Sequence, residues 1–166
     1  MKKLLCLTLT LMLCLTLATS AALAETAMYA TTQMVLDTLD EADFNYDYAV
    51  LNDDAGSEII MVPMGSSENP IDIYLIFRDG ESIGIRVWDI IAFEDADMVN
   101  VLMACNTLNA DYKFVNFYVD TSDNTVTCKM DIIHRESNVG DIVFEATLRM
   151  ANIIQDGFEV LSPYQR

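Results

Sequence analysis

The stretch Met98–Asn109, MVNVLMACNTLN, lies between two blocks of strand-like sequence and decides the fold. Five of its apolar residues recur at the spacing of a helix: Met98, Val101, Leu102, Cys105 and Leu108. Four polar residues fall near the edge of that stripe: Asn100, Asn106, Thr107 and Asn109. The pattern therefore predicts a central helix that buries one apolar stripe and separates two groups of strands.

The block before this helix, Tyr46–Ile91, alternates strand-like runs with turn residues. The runs YDYAVL, EIIMVPM, IDIYLIF and IGIRVWDI are rich in β-branched and aromatic residues. Matching the apolar faces of the last two runs places Leu75 opposite Ile85, across a three-residue loop that contains Gly80. The block therefore predicts four antiparallel strands in a meander.

The block after the helix predicts two more strands, Lys113–Asp120 and Thr125–Ile133, with Phe117 opposite Cys128. Helices are predicted at both ends of the chain. The first covers Ala27–Asp40, and the last starts at a cap, Ser137 or Asn138, and ends at Gly157. The order α-ββββ-α-ββ-α predicts an α+β fold in which helices pack on an antiparallel sheet.

The N-terminus has the features of an export signal. Lys2 and Lys3 precede an apolar run, and small residues at Ala22 and Ala24 suit a signal peptidase. We predict that residues 1–24 are a signal peptide and that residues 25–166 form a single exported domain, in the cell envelope, the periplasm or the exterior. A retained membrane anchor is the alternative, but the apolar run is short for a transmembrane span.

The chain is strongly acidic, with a formal net charge of −17 that becomes −19 when Lys2 and Lys3 leave with the signal. Such a surface repels phosphate backbones and anionic lipids. We therefore predict that the mature chain binds neither nucleic acid nor membrane. The charge either serves solubility or attracts a cationic partner, and both interpretations stay open.

The sequence offers no catalytic, metal or cofactor constellation, and we predict that the protein is not an enzyme. Cys105 and Cys128 fall on apolar faces, which indicates buried thiols, with a disulfide as the alternative in an oxidising compartment. His134 is the chain's one histidine, which favours a surface loop over a metal site. The acidic residues Glu94–Asp97 suit a helix N-terminus better than a calcium loop.

A candidate contact surface follows from strand alternation. If helices cover the sheet face that bears Leu75 and Ile85, six residues point to the other face: Tyr74, Ile76, Arg86, Trp88, Phe114 and Tyr118. Aromatic residues and arginine are enriched in protein interfaces. The pattern predicts a protein-contact surface, and self-association or coverage by another part of the chain is the alternative.

The order and spacing of several segments resemble the YbjN domain family. The resemblance covers Tyr46–Leu161 and rests on the acidic helix start, the Asn106–Asn109 helix end, the strand opening at Tyr112–Phe114 and the long last helix. It implies the fold of type III secretion chaperones, small proteins that commonly dimerise and bind extended segments of other proteins.

The family is described as sensory-transduction regulators and supplies no catalytic residues to transfer. The resemblance implies a homodimer with a protein or peptide partner. The alternative is a self-associating cell-envelope structural or stress-response factor. The export signal distinguishes this chain from the cytoplasmic members of the family.

Overall fold

The computed structural model describes residues 28–51, 53–65, 69–78, 82–134 and 138–166. The predicted signal peptide lies outside these ranges. The elements have the predicted order: α1 (Ala30–Glu41), β1 (Asp47–Val50), β2 (Glu58–Gly65), β3 (Pro70–Arg78), β4 (Ser82–Val87), α2 (Met98–Asp111), β5 (Asn116–Asp120), β6 (Thr125–Ile133) and α3 (Val139–Leu161). Short 3-10 turns precede α2 and follow α3. The α+β prediction is confirmed.

The strands form one antiparallel sheet in the order β1-β2-β3-β4-β6-β5. The predicted register is confirmed, since Leu75 faces Ile85 and Phe117 faces Cys128. The loop around Gly80 lies outside the described residues. Because β6 pairs with β4 as well as with β5, the second hairpin joins the sheet through β6 and places the short strand β5 at its edge.

The helices cover one face of the sheet, which we call the inner face. Its side chains are apolar and fully buried, as at Ile73, Leu75 and Ile85. Tyr74 and Ile76, which alternate with them along β3, are half-buried on the opposite, outer face. Strict alternation explains why the register is well defined, since a slip of one residue would exchange the two faces.

Helix α2 faces the core with most of the predicted stripe, but Ala104 takes the place of Leu102. Val101, Ala104, Cys105 and Leu108 are buried, but Leu102 is 48% exposed, so its predicted burial is wrong. The helix is apolar on more than one side, and periodicity alone could not decide which stripe meets the sheet. Val99 and Met103 join Leu102 on the exposed side.

Helix α3 does not end at Gly157, as predicted, but continues to Leu161. Gly157 is buried inside the helix, and a Cβ atom there would lie 3.3 Å from the Leu108 side chain. The glycine therefore serves close packing against α2 rather than helix termination. Asn138 precedes the first turn as predicted, although its side chain makes no capping hydrogen bond.

Two other predicted boundaries are wrong. Helix α1 begins at Ala30, so Met28 packs against the core from the preceding segment. Strand β5 begins at Asn116 rather than Lys113, because α2 continues to Asp111 and Phe114 then adopts a positive φ of 73°. Phe114 therefore lies in a connection and not on the sheet face.

Candidate functional site

Five of the six predicted contact residues lie on the outer face, and Phe114 lies apart from them. Tyr74, Ile76 and Arg86 are half-buried there. Trp88 and Tyr118 are more open, with 42% and 37% of their surface exposed. The structure thus brings five of these residues to one face, which remains a candidate contact surface.

Arg86 is held flat against the outer face by its neighbours. Its Nη1 donates to the carbonyl oxygens of Ile85 and Met130, both at 2.8 Å, and its Nη2 donates to Asp131 at 2.6 Å. Gly84 makes this possible, since a Cβ there would lie 3.3 Å from Arg86 Nη2. The guanidinium is therefore engaged in joining β4 to β6.

Trp88 and Tyr74 form an aromatic pair, with ring centroids 4.6 Å apart and planes inclined at 50°. The pair borders a cavity of about 360 Å³ at one end of β3 and β4, which we call the aromatic pocket. Two acidic residues, Asp72 and Asp89, also line it, and Phe158 of α3 contributes to its apolar wall.

Tyr118 lies on the outer face in the edge strand β5. The Nζ atom of Lys129 lies 5.5 Å from the centroid of its ring, a cation–π arrangement. Thr127, opposite Tyr118 in the ladder, is fully buried although it lies on the outer face. Part of the outer face is therefore shielded from solvent within the chain.

A second cavity, of about 610 Å³, is an open groove beside strand β6. We call it the β6 groove. Its walls are Met130–Ile133 of β6 and the segment 142–149 of α3, and Phe114 and Asn116 close one end. Ile133 is 89% exposed and Phe114 is 71% exposed, so the rim of this groove is apolar and open to solvent.

Asn109 covers the free edge of β5. Its Nδ2 donates to the carbonyl oxygen of Phe117 at 2.9 Å, and its Oδ1 accepts from the N–H of Phe117 at 2.7 Å. The backbone groups of Phe117 therefore point away from β6 and towards α2. One side chain thus replaces the hydrogen bonds that a further strand would make with Phe117.

The side to which the N–H and C=O groups of Phe117 point also determines which β6 residues point their N–H and C=O groups towards β5. In an antiparallel ladder the hydrogen-bonding direction alternates, so Lys129, Asp131 and Ile133 present N–H and C=O to the β5 side. Strand β5 begins opposite Lys129 and leaves no described strand opposite Asp131 and Ile133. Their backbone groups therefore face the β6 groove.

The two cysteines outside the predicted signal are free and buried. Burial raises the pKa of the Cys105 thiol to about 11 and that of the Cys128 thiol to about 12. Cys128 Sγ lies 3.4 Å from Met150 Sδ within the core. Both side chains are therefore protonated packing elements at neutral pH, as the apolar pattern predicted.

His134 follows β6 in a loop, as predicted, but it is less exposed than a surface histidine. It is half-buried, and neither ring nitrogen has a hydrogen-bond partner among the described residues. Within the ranges that the structure covers, no group of three His, Cys, Asp or Glu residues could hold a metal ion. No helix in those ranges is long and apolar enough to cross a membrane.

The sequence model of the YbjN family, described as "Putative bacterial sensory transduction regulator", matches residues 31–159. The chain belongs to the YbjN family. The match includes every described strand and most of each helix, so it confirms the resemblance that the segment order indicated. No curated protein matches the sequence.

Two solved structures resemble this chain at low identity. The first, "YbjN, a putative transcription regulator from E. coli", has 10% identity and a TM-score of 0.49, and covers 75% of this chain and 89% of its own. The second, the HopA1-SchA chaperone–effector complex, has 12% identity and a TM-score of 0.46. The match covers 77% of this chain and 90% of the other.

Two features of this YbjN domain were missed from the sequence. The aromatic pocket combines Asp72 of β3 with Asp89, which follows β4, and the position of Asp72 two residues before Tyr74 on the same strand was a usable signal. The β6 groove depends on where β5 begins. The only sequence signal for it was that the segment Thr125–Ile133 is longer than its partner.

Proposed function

We propose that this YbjN-family protein is an exported, non-enzymatic module that binds an extended segment of another protein in the β6 groove. The observation that carries the proposal is the edge of β6 at Asp131 and Ile133, which no described strand pairs. An added strand would satisfy these backbone groups, which is how many proteins bind extended peptides. The lysine pair and apolar run at the N-terminus support export.

The side chains around the groove favour an apolar strand over a polar one. Phe114, Ile133 and Ile142 form a rim of exposed apolar surface, which monomeric proteins rarely keep without a partner. Glu145 and Arg149 add one charge of each sign to the α3 wall. We infer a bound segment that alternates apolar residues with polar ones, since successive residues of a strand face opposite sides.

The opposite edge of the sheet fits such a ligand less well. Strand β1 also has a free edge, but it contains four residues, all of them exposed. None of the β1 residues lines the aromatic pocket or the β6 groove. A strand added at β1 would gain backbone hydrogen bonds without side-chain recognition, whereas the β6 groove offers both.

Replacing Ile133 by proline tests this function. Proline removes the N–H that faces the groove, whereas the ladder with β4 uses the alternate residues and is retained. Peptides selected from a displayed library of random nine-residue segments should bind Ile133→Pro at least fivefold more weakly than the original protein. The measurement is a fluorescence-anisotropy titration of the selected peptides.

The control for this test is Ile133→Val, which keeps the N–H and an apolar, β-branched side chain at the same exposed position. It should change affinity by less than about twofold. Thermal unfolding of both variants checks that the sheet is intact. Equal binding of the selected peptides to Ile133→Pro and to the original protein would contradict the proposal.

Self-association is the second candidate, and the exposed side of α2 favours it. Val99, Leu102 and Met103 form an apolar patch with 67%, 48% and 66% of their surface exposed. Acidic residues precede the helix, and Lys113 follows it. In a two-fold pair of antiparallel α2 helices, Lys113 of each copy would approach Asp97 of the other, so the charges suit a second copy.

We expect Leu102→Glu/Met103→Glu to abolish a dimer built on α2, because it would bury four unpaired carboxylates in the interface. Sedimentation equilibrium should show dimers for the original protein and monomers for the variant. Gln155→Glu, an exposed change on α3 rather than on α2, is the control. Loss of the dimer without loss of peptide binding would show that self-association through α2 is independent of the β6 groove. A monomeric original protein would refute self-association.

A further inference from the structure

The aromatic pocket has a composition that neither the β6 groove nor the α2 patch shares. It joins the rings of Tyr74 and Trp88 with two acidic residues, Asp72 and Asp89. We propose that this pocket binds the side chain of an arginine from a partner protein. The inference rests on the proposed function only in that the arginine belongs to a bound protein segment.

The aromatic pair supplies the first part of the recognition. An aromatic ring attracts a cation over its face, and a guanidinium also stacks on it as a plane. Trp88 is 42% exposed and Tyr74 is half-buried, so both rings are accessible from the outer face. The two rings already contact each other, which orders them before any ligand arrives.

The carboxylates supply the second part. Asp72 and Asp89 are exposed and line the same cavity, and the described lining includes no lysine or arginine that could neutralise them. Arg86 lies opposite Tyr74 in the ladder, but its guanidinium is bound to Asp131 and to the carbonyl oxygens of Ile85 and Met130. Within the described lining, the pocket therefore carries negative charge that no cationic side chain offsets.

Arginine suits this combination better than lysine. A guanidinium can stack on a ring and pair with a carboxylate through two parallel N–H donors, whereas an ammonium acts as a point charge. The chain as a whole has a net charge of −17, which favours the approach of a basic segment at a distance. The volume of about 360 Å³ is ample for one side chain.

Trp88 is the chain's one tryptophan, so its fluorescence reports on the aromatic pocket directly. The probe is N-acetyl-arginine methylamide, titrated into the protein at low ionic strength. We expect a saturable change in emission. N-acetyl-citrulline methylamide, which has nearly the same shape without the charge, should bind at least fivefold more weakly, and the matching lysine derivative should fall between them.

Variants distinguish binding in the aromatic pocket from non-specific attraction of a cation to the acidic chain. Asp72→Asn/Asp89→Asn should weaken binding of the arginine derivative at least fivefold. Asp111→Asn, an exposed neutralisation on α2 away from the pocket lining, should change it by less than twofold. Equal binding of the arginine and citrulline derivatives, or an unchanged affinity in the double variant, would overturn the inference.

The same probe distinguishes this inference from the proposed function. Ile133→Pro blocks only the β6 groove, so it should bind the arginine derivative as well as the original protein does. If that derivative fails to bind while the selected peptides still require an intact β6 edge, the pocket inference falls and the proposed function stands. If the arginine derivative binds but the selected peptides bind Ile133→Pro and the original protein equally, the pocket inference stands and the proposed function falls.

Discussion

Replacing Gly140 by alanine is expected to lower the free energy of unfolding by about 3 kcal/mol. A Cβ atom at this position would lie 2.1 Å from Oγ1 of Thr38 and 2.8 Å from the carbonyl oxygen of Met34. Thr38 Oγ1 already donates to that carbonyl at 3.0 Å, so moving the hydroxyl would break a bond and leave the backbone clash. Helices α1 and α3 would therefore have to move apart.

Urea denaturation measures the loss in Gly140→Ala, and amide hydrogen exchange should show the largest increase in α1, which packs against α3. Gly157→Ala is the matched control, since it adds the same methyl group to the same helix. Its Cβ would meet only the ends of the Leu108 and Phe117 side chains, at 3.3 and 3.5 Å. Similar losses in both variants would show that close helix contact at Gly140 is not the cause.

Replacing Asn109 by alanine is expected to cost about 2 kcal/mol, roughly 1 kcal/mol for each of its two hydrogen bonds to Phe117. The same change exposes the backbone edge of β5. The variant should therefore also show concentration-dependent association, because an uncovered strand edge accepts another strand. Urea denaturation and light scattering measure the two effects.

Asn106→Ala is the control for this prediction. Asn106 is an exposed asparagine one turn earlier in the same helix, so both variants gain the same helix propensity from alanine. The difference between them isolates the contacts with β5. If the two variants unfolded at the same urea concentration, the Asn109 side chain would not stabilise the strand.

The sheet was predictable because its inner face is so uniformly apolar. Leu75 could face only Ile85 without mixing the two faces, and the structure has that register. The same reasoning placed Tyr74 and Trp88 together, and their rings are in contact. Alternation with a period of two is local information, so one sequence sufficed.

The helix boundaries depended on packing that the sequence does not show. Gly157 is normally a stop signal, but here α2 and β5 approach α3 so closely that only glycine fits without displacement. Leu102 follows the same period as its buried neighbours and yet faces outwards. In both cases tertiary contacts outweigh the local preference.

The candidate sites were predictable to different degrees. The outer-face residues followed from strand alternation, whereas the β6 groove arises because the chain turns at Phe114, with a positive φ, before β5 begins. Bulky residues rarely adopt that backbone conformation, and no local pattern predicts it. The position of Phe114 at the end of the groove is therefore a property of the assembled fold.

Helix α3 has a consequence for any partner that uses both cavities. Residues 142–149 of this one helix line the β6 groove, and Ile154 and Phe158 line the aromatic pocket. At about 1.5 Å per residue the two segments lie about 16 Å apart along the axis, which is roughly the length of five extended residues. Helix α3 would therefore fix the distance between the two cavities. A partner would be recognised by the spacing between its β-strand segment and its arginine as well as by their side chains.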